Sequence, residues 1–254
     1  MKKLANKVAI ITGGAMGMGA ATAELFAQEG ANVVIADYNE EKGKAQVERI
    51  RKAGGQASFV KIDVSKSDEV QHMIKFTVDT YGRLDIALNN AAITPDDKPL
   101  ADFDEAYWDR LMSIDLKGVA LCLKYEIRQM MAQGEGGSII NVSSVSGIRP
   151  QPGTPAYIAA KHAVIGLTKS AAMDYSPHQL RINTVAPGAI DTPMLRGALE
   201  QFGFDPVVYS KKLSILGRFA QANEVAKAHL WLASDDASYV TGATISVDGG
   251  YTAM

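Results

Sequence analysis

Cysteine is nearly missing from this chain: Cys122 is the single one among 254 residues. No disulfide framework can form within it, and no thiolate zinc cluster can be assembled. The histidines, His72, His162, His178 and His229, are scattered without metal-ligand spacing, so no metal is expected. No stretch approaches the roughly 18 consecutive apolar residues of a membrane span. Lys2 and Lys3 precede an apolar run too short for a signal peptide, and Lys7 interrupts it, so a cytoplasmic location is expected. An excess of one charge is lacking too. With 26 Lys and Arg against 28 Asp and Glu the net charge is −2, which implies neither nucleic acid nor another polyanion as partner. Linkers, repeats and low-complexity segments are absent, so residues 1–254 are expected to form one domain.

What the chain does have is apolar residues, 47% of the total, enough for a packed core and grouped into short runs. Strand-like runs near 8–11, 32–36, 57–62, 85–88, 137–142, 180–185 and 243–247 alternate with helical stretches. Runs apolar throughout suit strands buried on both faces, so an α/β fold with a parallel sheet between helices is expected.

The first run, Val8-Ala9-Ile10-Ile11, is followed by Thr12-Gly13-Gly14-Ala15-Met16-Gly17-Met18-Gly19 and an alanine-rich stretch to Glu29. This is a strand, a glycine turn and a helix. Glycines at 13, 17 and 19 permit positive φ and let a pyrophosphate approach the helix N-terminus, where free N–H groups favour an anion. Gly13, Met16, Gly17, Met18 and Gly19 are therefore candidate cofactor contacts. Asp37 closes the second run eighteen residues beyond Gly19, the place for an acid that accepts hydrogen bonds from an adenosine ribose. The alternative is a solvated residue at a strand end. Neither Tyr38 nor Asn39 offers a cation to offset a 2′-phosphate beside that carboxylate, so NAD is expected rather than NADP.

Tyr157 and Lys161 stand four residues apart in T-P-A-Y-I-A-A-K, and Ser144 lies thirteen positions before the tyrosine. Thr154 can cap a helix here, Pro155 suits its first turn, and positions four apart then share a face. A phenol with an ordinary pKa of about 10 needs roughly 2.7 kcal/mol of differential stabilisation to fall by two units, and a neighbouring ammonium is one source. Such a group can take the proton of an alcohol without a metal. Taken alone, the same pattern also fits a surface lysine near a half-buried tyrosine.

With both motifs in view the chain resembles the short-chain dehydrogenase/reductase family along nearly its whole length. The motifs are T-G-x-x-x-G-x-G, Asp63-Val64, Asn89-Asn90-Ala91-Ala92, Ser143-Ser144, Y-x-x-x-K, Pro187-Gly188 and Asp248-Gly249-Gly250. The resemblance implies a Rossmann-type, doubly wound, parallel seven-stranded sheet and a homotetramer. It assigns Asp63 and Val64 to the adenine and Asn90 to the central strand and ribose. Pro187, Gly188, Ile190 and Thr192 are assigned to the nicotinamide side. It also implies catalysis by Tyr157 as acid/base, with Ser144 on the substrate oxygen and Lys161 lowering the tyrosine pKa and binding the nicotinamide ribose.

One position departs from the family: Asp115 stands where an asparagine is usual. Family members use the main-chain carbonyl there to hold a water linked to the lysine. Aspartate keeps that carbonyl, and on this account Asp115→Asn is tolerated. Alternatively, the carboxylate pairs with a nearby cation or satisfies a helix kink. Residues 192–217, apolar but interrupted by glycines and Pro206, read as a substrate lid or as ordinary core packing. Thr94, Ser146, Gln151, Met194 and Tyr209 are candidate substrate contacts beside Ser144 and Tyr157. Local context resembles bacterial dehydrogenases of alicyclic alcohols and diols, including those acting on chlorinated cyclohexadienediols, so a small uncharged alicyclic or aryl secondary alcohol is expected. Two other readings stay open, a 3-oxoacyl thioester reductase and a non-catalytic NAD-binding sensor.

Overall fold

The computed structural model describes residues 2–254. The first apolar run becomes β1 (Val8–Thr12), buried along its whole length. Ala9 and Ile11 enter the core on one side of the sheet and Ile10 the core on the other, as the period of two along a strand requires. β2 (Asn32–Asp37) repeats this, with Val33 and Ile35 on one side and Val34 and Ala36 on the other. Both faces are covered by helices, which is why neither strand alternates apolar with polar residues.

From β1 the chain runs through α1 (Gly17–Gln28) to β2, through α2 (Glu40–Lys52) to β3 (Gln56–Lys61), and through α3 (Ser67–Tyr81) to β4 (Ile86–Asn89). Next, α4 (Glu105–Leu111), a π-helical stretch at Met112–Gly118 and α5 (Val119–Gln133) follow one another without a break, leading to β5 (Gly137–Val142). Then α6 (Pro155–Tyr175) precedes β6 (Leu180–Pro187) and the short β7 (Ile190–Asp191). α7 (Pro193–Phe202), α8 (Pro206–Leu213), β8 (Ala220–Gln221), α9 (Ala222–Ala233) and β9 (Thr244–Val247) complete the order.

Among the described residues, seven strands pair in parallel in the order β3-β2-β1-β4-β5-β6-β9. This is the doubly wound sheet expected, with every expected strand within two residues of its place. β4 begins at Ile86, and just before it the Asp85 carboxylate accepts from the Val8 N–H at 2.8 Å. The strand order reverses between β1 and β4. At such a point the connections leave toward opposite faces and open a crevice at the carboxyl ends of the strands.

Phe26 of α1, Val47 of α2 and Leu232 of α9 fill the core on one face, while Met73 of α3, Leu123 of α5 and Val164 of α6 fill the other. A buried polar chain braces the strands beside the crevice. Asn89 Nδ2 donates to Glu126 Oε2 at 2.9 Å and to Asn141 Oδ1 at 3.0 Å, and Asn141 Nδ2 donates to Thr168 at 2.9 Å. Burial pushes the Glu126 carboxyl up to about 7. β7 and β8, unforeseen in the sequence, pair Ile190 with Ala220 and so bring together the two ends of the 192–217 segment. No helix among the described residues is long and apolar enough to cross a membrane.

Candidate active site

At the end of β1 the chain turns at Gly13, φ +64°, whose N–H donates to the Ala36 carbonyl at 2.8 Å. A Cβ there would lie 2.9 Å from both Ala91 Cα and Asn90 Nδ2. One on Gly19 would lie 2.2 Å from the Gly13 carbonyl oxygen. Only glycine permits this approach of turn, helix and β4. α1 then starts with no side-chain cap at Met16 and no acidic residue in its first turn, leaving N–H groups available to an anion. Asn90 holds the other wall, its side-chain amide donating to the Thr12 and Gly13 carbonyls at 3.1 Å each. Asp37 braces the turn, accepting from Ala15 N–H at 3.0 Å and Asn39 N–H at 2.9 Å. Each carboxylate oxygen keeps a lone pair for a ribose hydroxyl. These residues fit a nicotinamide dinucleotide.

The other expected cofactor residues divide between open and buried positions. Gly17 faces Thr192, whose Cγ2 is 3.5 Å from where a glycine Cβ would sit, so the glycine turn and the segment after β6 border the same crevice. Thr192 caps α7 through Leu195 N–H, and Gly188 closes on Asp248 with no room for a Cβ. Ile190 and Val64 are buried in the core and Met18 packs against it, so Ile190 has only its main chain to offer. Asp63 uses one carboxylate oxygen locally, Oδ1 accepting from the Ser65 N–H and hydroxyl at 2.9 and 2.7 Å.

Ser144 lies two residues beyond β5 in extended conformation, its hydroxyl accepting from Ser146 N–H at 3.1 Å. Across from it, Lys161 is only 2% exposed, and its Nζ lies 5.2 Å from the centre of the Tyr157 ring. Ser143 fixes the β5 connection to the helix, its hydroxyl donating to the Lys161 carbonyl at 2.8 Å. Asp115, on the π-helical stretch, is fully buried, with Oδ2 3.1 Å from Lys161 Nζ and Oδ1 accepting from Ile93 N–H at 2.9 Å. Of the alternatives the sequence left open at this position, the structure has the pairing with a cation; the residue lies on an irregular helical stretch, but its side chain bonds to Lys161 and Ile93, not to that helix.

Burial pushes the Tyr157 phenol above its ordinary value. The Lys161 charge pulls it down, Asp115 pushes it further up, and the Ser144 hydroxyl lowers it; the net direction is up. Lys161 thus acts on the phenol in the expected direction, lowering it, while burial and Asp115 outweigh it. Burial draws the Lys161 ammonium down, yet the charges of Asp115 and Tyr157 more than offset it and hold it above its ordinary value. Asp115 is itself raised by burial, against the pull of Lys161.

Thr154, expected to cap α6, makes no side-chain cap bond. The carboxylate of Asp96 does so instead, accepting from Ala156 and Tyr157 N–H at 3.0 Å each. Sequence reasoning missed it because the acid lies sixty positions from Ala156. Among the substrate candidates, Ser146 is bonded to Ser144, and the Thr94 carbonyl accepts from the Tyr107 hydroxyl at 2.6 Å. Gln151, Met194 and Tyr209 sit on separate segments, the turn before α6, α7 and α8. Tyr209 stacks on Phe204 with centroids 4.6 Å apart. Among the described residues no hydrogen bond ties these three side chains to Ser144, Tyr157 or Lys161. Nor do any three His, Cys, Asp or Glu side chains cluster so as to hold a metal ion there.

Residues 13–252 match a family model described as enoyl-(acyl carrier protein) reductase. The short chain dehydrogenase/reductase astE of Aspergillus oryzae is 46% identical over 248 residues, covering 97% of this chain and 95% of its own. The 2,5-dichloro-2,5-cyclohexadiene-1,4-diol dehydrogenase of Sphingobium indicum is 42% identical over the full length of both chains, 100% of each. The crystal structure of levodione reductase superposes with a TM-score of 0.94 at 35% identity, covering 98% of this chain and 99% of that one.

Proposed function

The chain belongs to the short-chain dehydrogenase/reductase family and is a nicotinamide-dependent oxidoreductase acting on CH–OH groups; from that premise we propose that it uses NAD to oxidise a small, uncharged secondary alcohol or diol on an alicyclic or aryl ring, or to reduce the matching ketone. The observation that carries this reading is the meeting of Ser144, Tyr157 and buried Lys161 beside the crevice that the glycine turn borders. Bound nicotinamide supplies the hydride acceptor or donor. Ser144 holds the substrate oxygen through its hydroxyl. Tyr157 takes the alcohol proton in oxidation and returns it in reduction. Lys161 opposes the rise in the phenol's pKa and binds the nicotinamide ribose. A relative that acts on a chlorinated cyclohexadienediol, identical at 42% of positions, and the apolar 192–217 segment support a ring substrate. A panel of secondary alcohols and diols with NAD⁺, followed by NADH absorbance, tests it; no turnover across the panel would sink the reading.

Cofactor choice follows from Asp37. Its carboxylate faces no compensating cation at Tyr38 or Asn39, so kcat/KM is expected to favour NAD over NADP by at least about tenfold, roughly 1.4 kcal/mol. Asp37→Ala should narrow the ratio by weakening NAD, since the same carboxylate also holds the Ala15 and Asn39 N–H groups. A wild-type preference for NADP would overturn the assignment.

The single domain is completed, on this reading, by a lid at 192–217. Phe202, Phe204, Val207, Val208, Ile215 and Leu216 expose apolar surface there, while the β7–β8 pairing and the Ile215 N–H bond to the Gly249 carbonyl hold the ends of the segment, the arrangement a lid needs. The family relation also supports a homotetramer. Ala159, Ala163, Gly166 and Ala171 on α6 offer small side chains for close helix approach, and a 27.1 kDa species in light scattering at micromolar concentration would reject it.

A further inference from the structure

Helix α6 opens with Pro155, which carries no N–H, so the first donors it must satisfy are those of Ala156 and Tyr157. Both go to one side chain. Asp96 Oδ2 accepts from Ala156 and Oδ1 from Tyr157, each at 3.0 Å. A carboxylate suits the positive end of the helix, and two bonds from one planar group fix orientation as well as distance.

The loop carrying Asp96, between β4 and α4, is held at two further points. Ile93 N–H donates to Asp115 Oδ1 at 2.9 Å, and the Tyr107 hydroxyl donates to the Thr94 carbonyl at 2.6 Å. Asp115 in turn pairs with Lys161 Nζ at 3.1 Å. Residues 93–96 therefore reach the catalytic turn of α6 from both ends: Asp96 at the main chain of Tyr157, and Ile93, through Asp115, at the head of Lys161.

We propose that Asp96 is a positioning residue that ties the β4–α4 loop to the first turn of α6 and so sets the Tyr157 hydroxyl against the substrate wall formed by that loop. This rests on the assignment of Tyr157 as acid/base. A helix cap alone would serve stability. A cap contributed by the loop that carries the candidate substrate contact Thr94 also fixes the geometry of proton transfer, where an error of about 1 Å costs on the order of a hundredfold.

Asp96→Ala and Asp96→Asn, compared with wild type, test this by two routes. In hydrogen exchange, which needs no substrate, Asp96→Ala should loosen peptides covering 91–98 and 154–160 together; loosening confined to 154–160 would reduce Asp96 to a cap and overturn the proposal. In kinetics with cyclohexanol and NAD⁺, well below the unfolding temperature, kcat should fall about tenfold, with NADH affinity within twofold of wild type. The isotope effect with carbinol-deuterated cyclohexanol should rise, because the chemical step slows. Asp96→Asn, keeping one acceptor oxygen, should fall between the two, and it carries the test if the alanine variant does not fold. A kcat within twofold of wild type in the folded variants overturns the proposal. If wild type turns over no secondary alcohol, or Tyr157→Phe keeps full turnover, the acid/base reading fails instead, and the exchange result still decides whether the tie exists.

Discussion

Tyr157→Phe is expected to lower kcat for alcohol oxidation by a factor of about 10² to 10⁴, the range for losing a positioned acid/base, while NAD affinity stays near that of wild type. The substitution removes one oxygen from a half-buried ring and keeps the ring beside Lys161. The main-chain N–H that Asp96 accepts from is untouched. Folding and cofactor binding should therefore survive, and the loss should lie in chemistry. The electrostatics add a pH signature. Burial, then Asp115, raise the phenol against the pull of Lys161 and Ser144, so at neutral pH the proton-accepting form is scarce. Oxidation by the wild type should climb with pH through the neutral range, close to tenfold per unit while the phenol stays mostly protonated, and reduction should not. The Phe variant should lose that limb. Steady-state rates from pH about 6 to 10, with NAD binding measured separately, check both parts; turnover within tenfold of wild type would remove Tyr157 from the mechanism.

How much of this the sequence disclosed depends on how local each interaction is. β1 and β2 were legible because each is apolar throughout, and Ile10 and Ile11 need cores on opposite faces. The glycine turn was legible because its glycines fall within seven residues, from Gly13 to Gly19, although several of the contacts that require them come from Asn90 and Ala91. Asp37 was legible as an acid at a strand end, and its bond to Asn39 N–H is local, but its bond to Ala15 N–H depends on two strands lying side by side. The Asp96 cap was beyond reach, since it joins segments sixty positions apart, and the Asp115–Lys161 pair was legible only as one alternative, a carboxylate beside some nearby cation. Thr154 looked like the cap because capping rules act locally, yet its ψ of 51° departs from the usual capping geometry. The π-helical winding at Met112–Gly118 has no compositional mark. Gly118 within it packs on Val64 with no room for a Cβ, which ties the irregularity to close approach of the third-strand connection. Met18 packs its side chain against the core, so its main chain in the first turn of α1 is what remains for the contact that its place in the motif suggests.

Asp115→Asn separates two accounts of the residue that departs from the family. If only the main-chain carbonyl mattered, asparagine would be tolerated, and the sequence by itself favours that outcome. The structure argues otherwise. The carboxylate is fully buried, its Oδ2 sits 3.1 Å from the ammonium of the buried Lys161, and its Oδ1 holds the Ile93 N–H. An amide can keep one of these contacts. If its oxygen stays on Ile93, its NH₂ faces the Lys161 NH₃⁺, donor against donor; if it turns, the Ile93 bond is lost. Either way a buried ammonium loses its counter-charge, and breaking such a pair from one side costs about 3–5 kcal/mol. The Tyr157 phenolate then becomes the remaining anion beside Lys161, and the charge of Asp115 no longer opposes its formation. The pKa governing oxidation should therefore move down. Because Lys161 is displaced from its anchor, the rate on the alkaline plateau should fall more than tenfold. Lower stability, a pH–rate curve moved toward acid and a reduced plateau together identify the ion pair, by thermal unfolding and a pH–kcat series on the two proteins. A variant with unchanged melting temperature, pH profile and plateau would leave the main-chain carbonyl as the working part of residue 115.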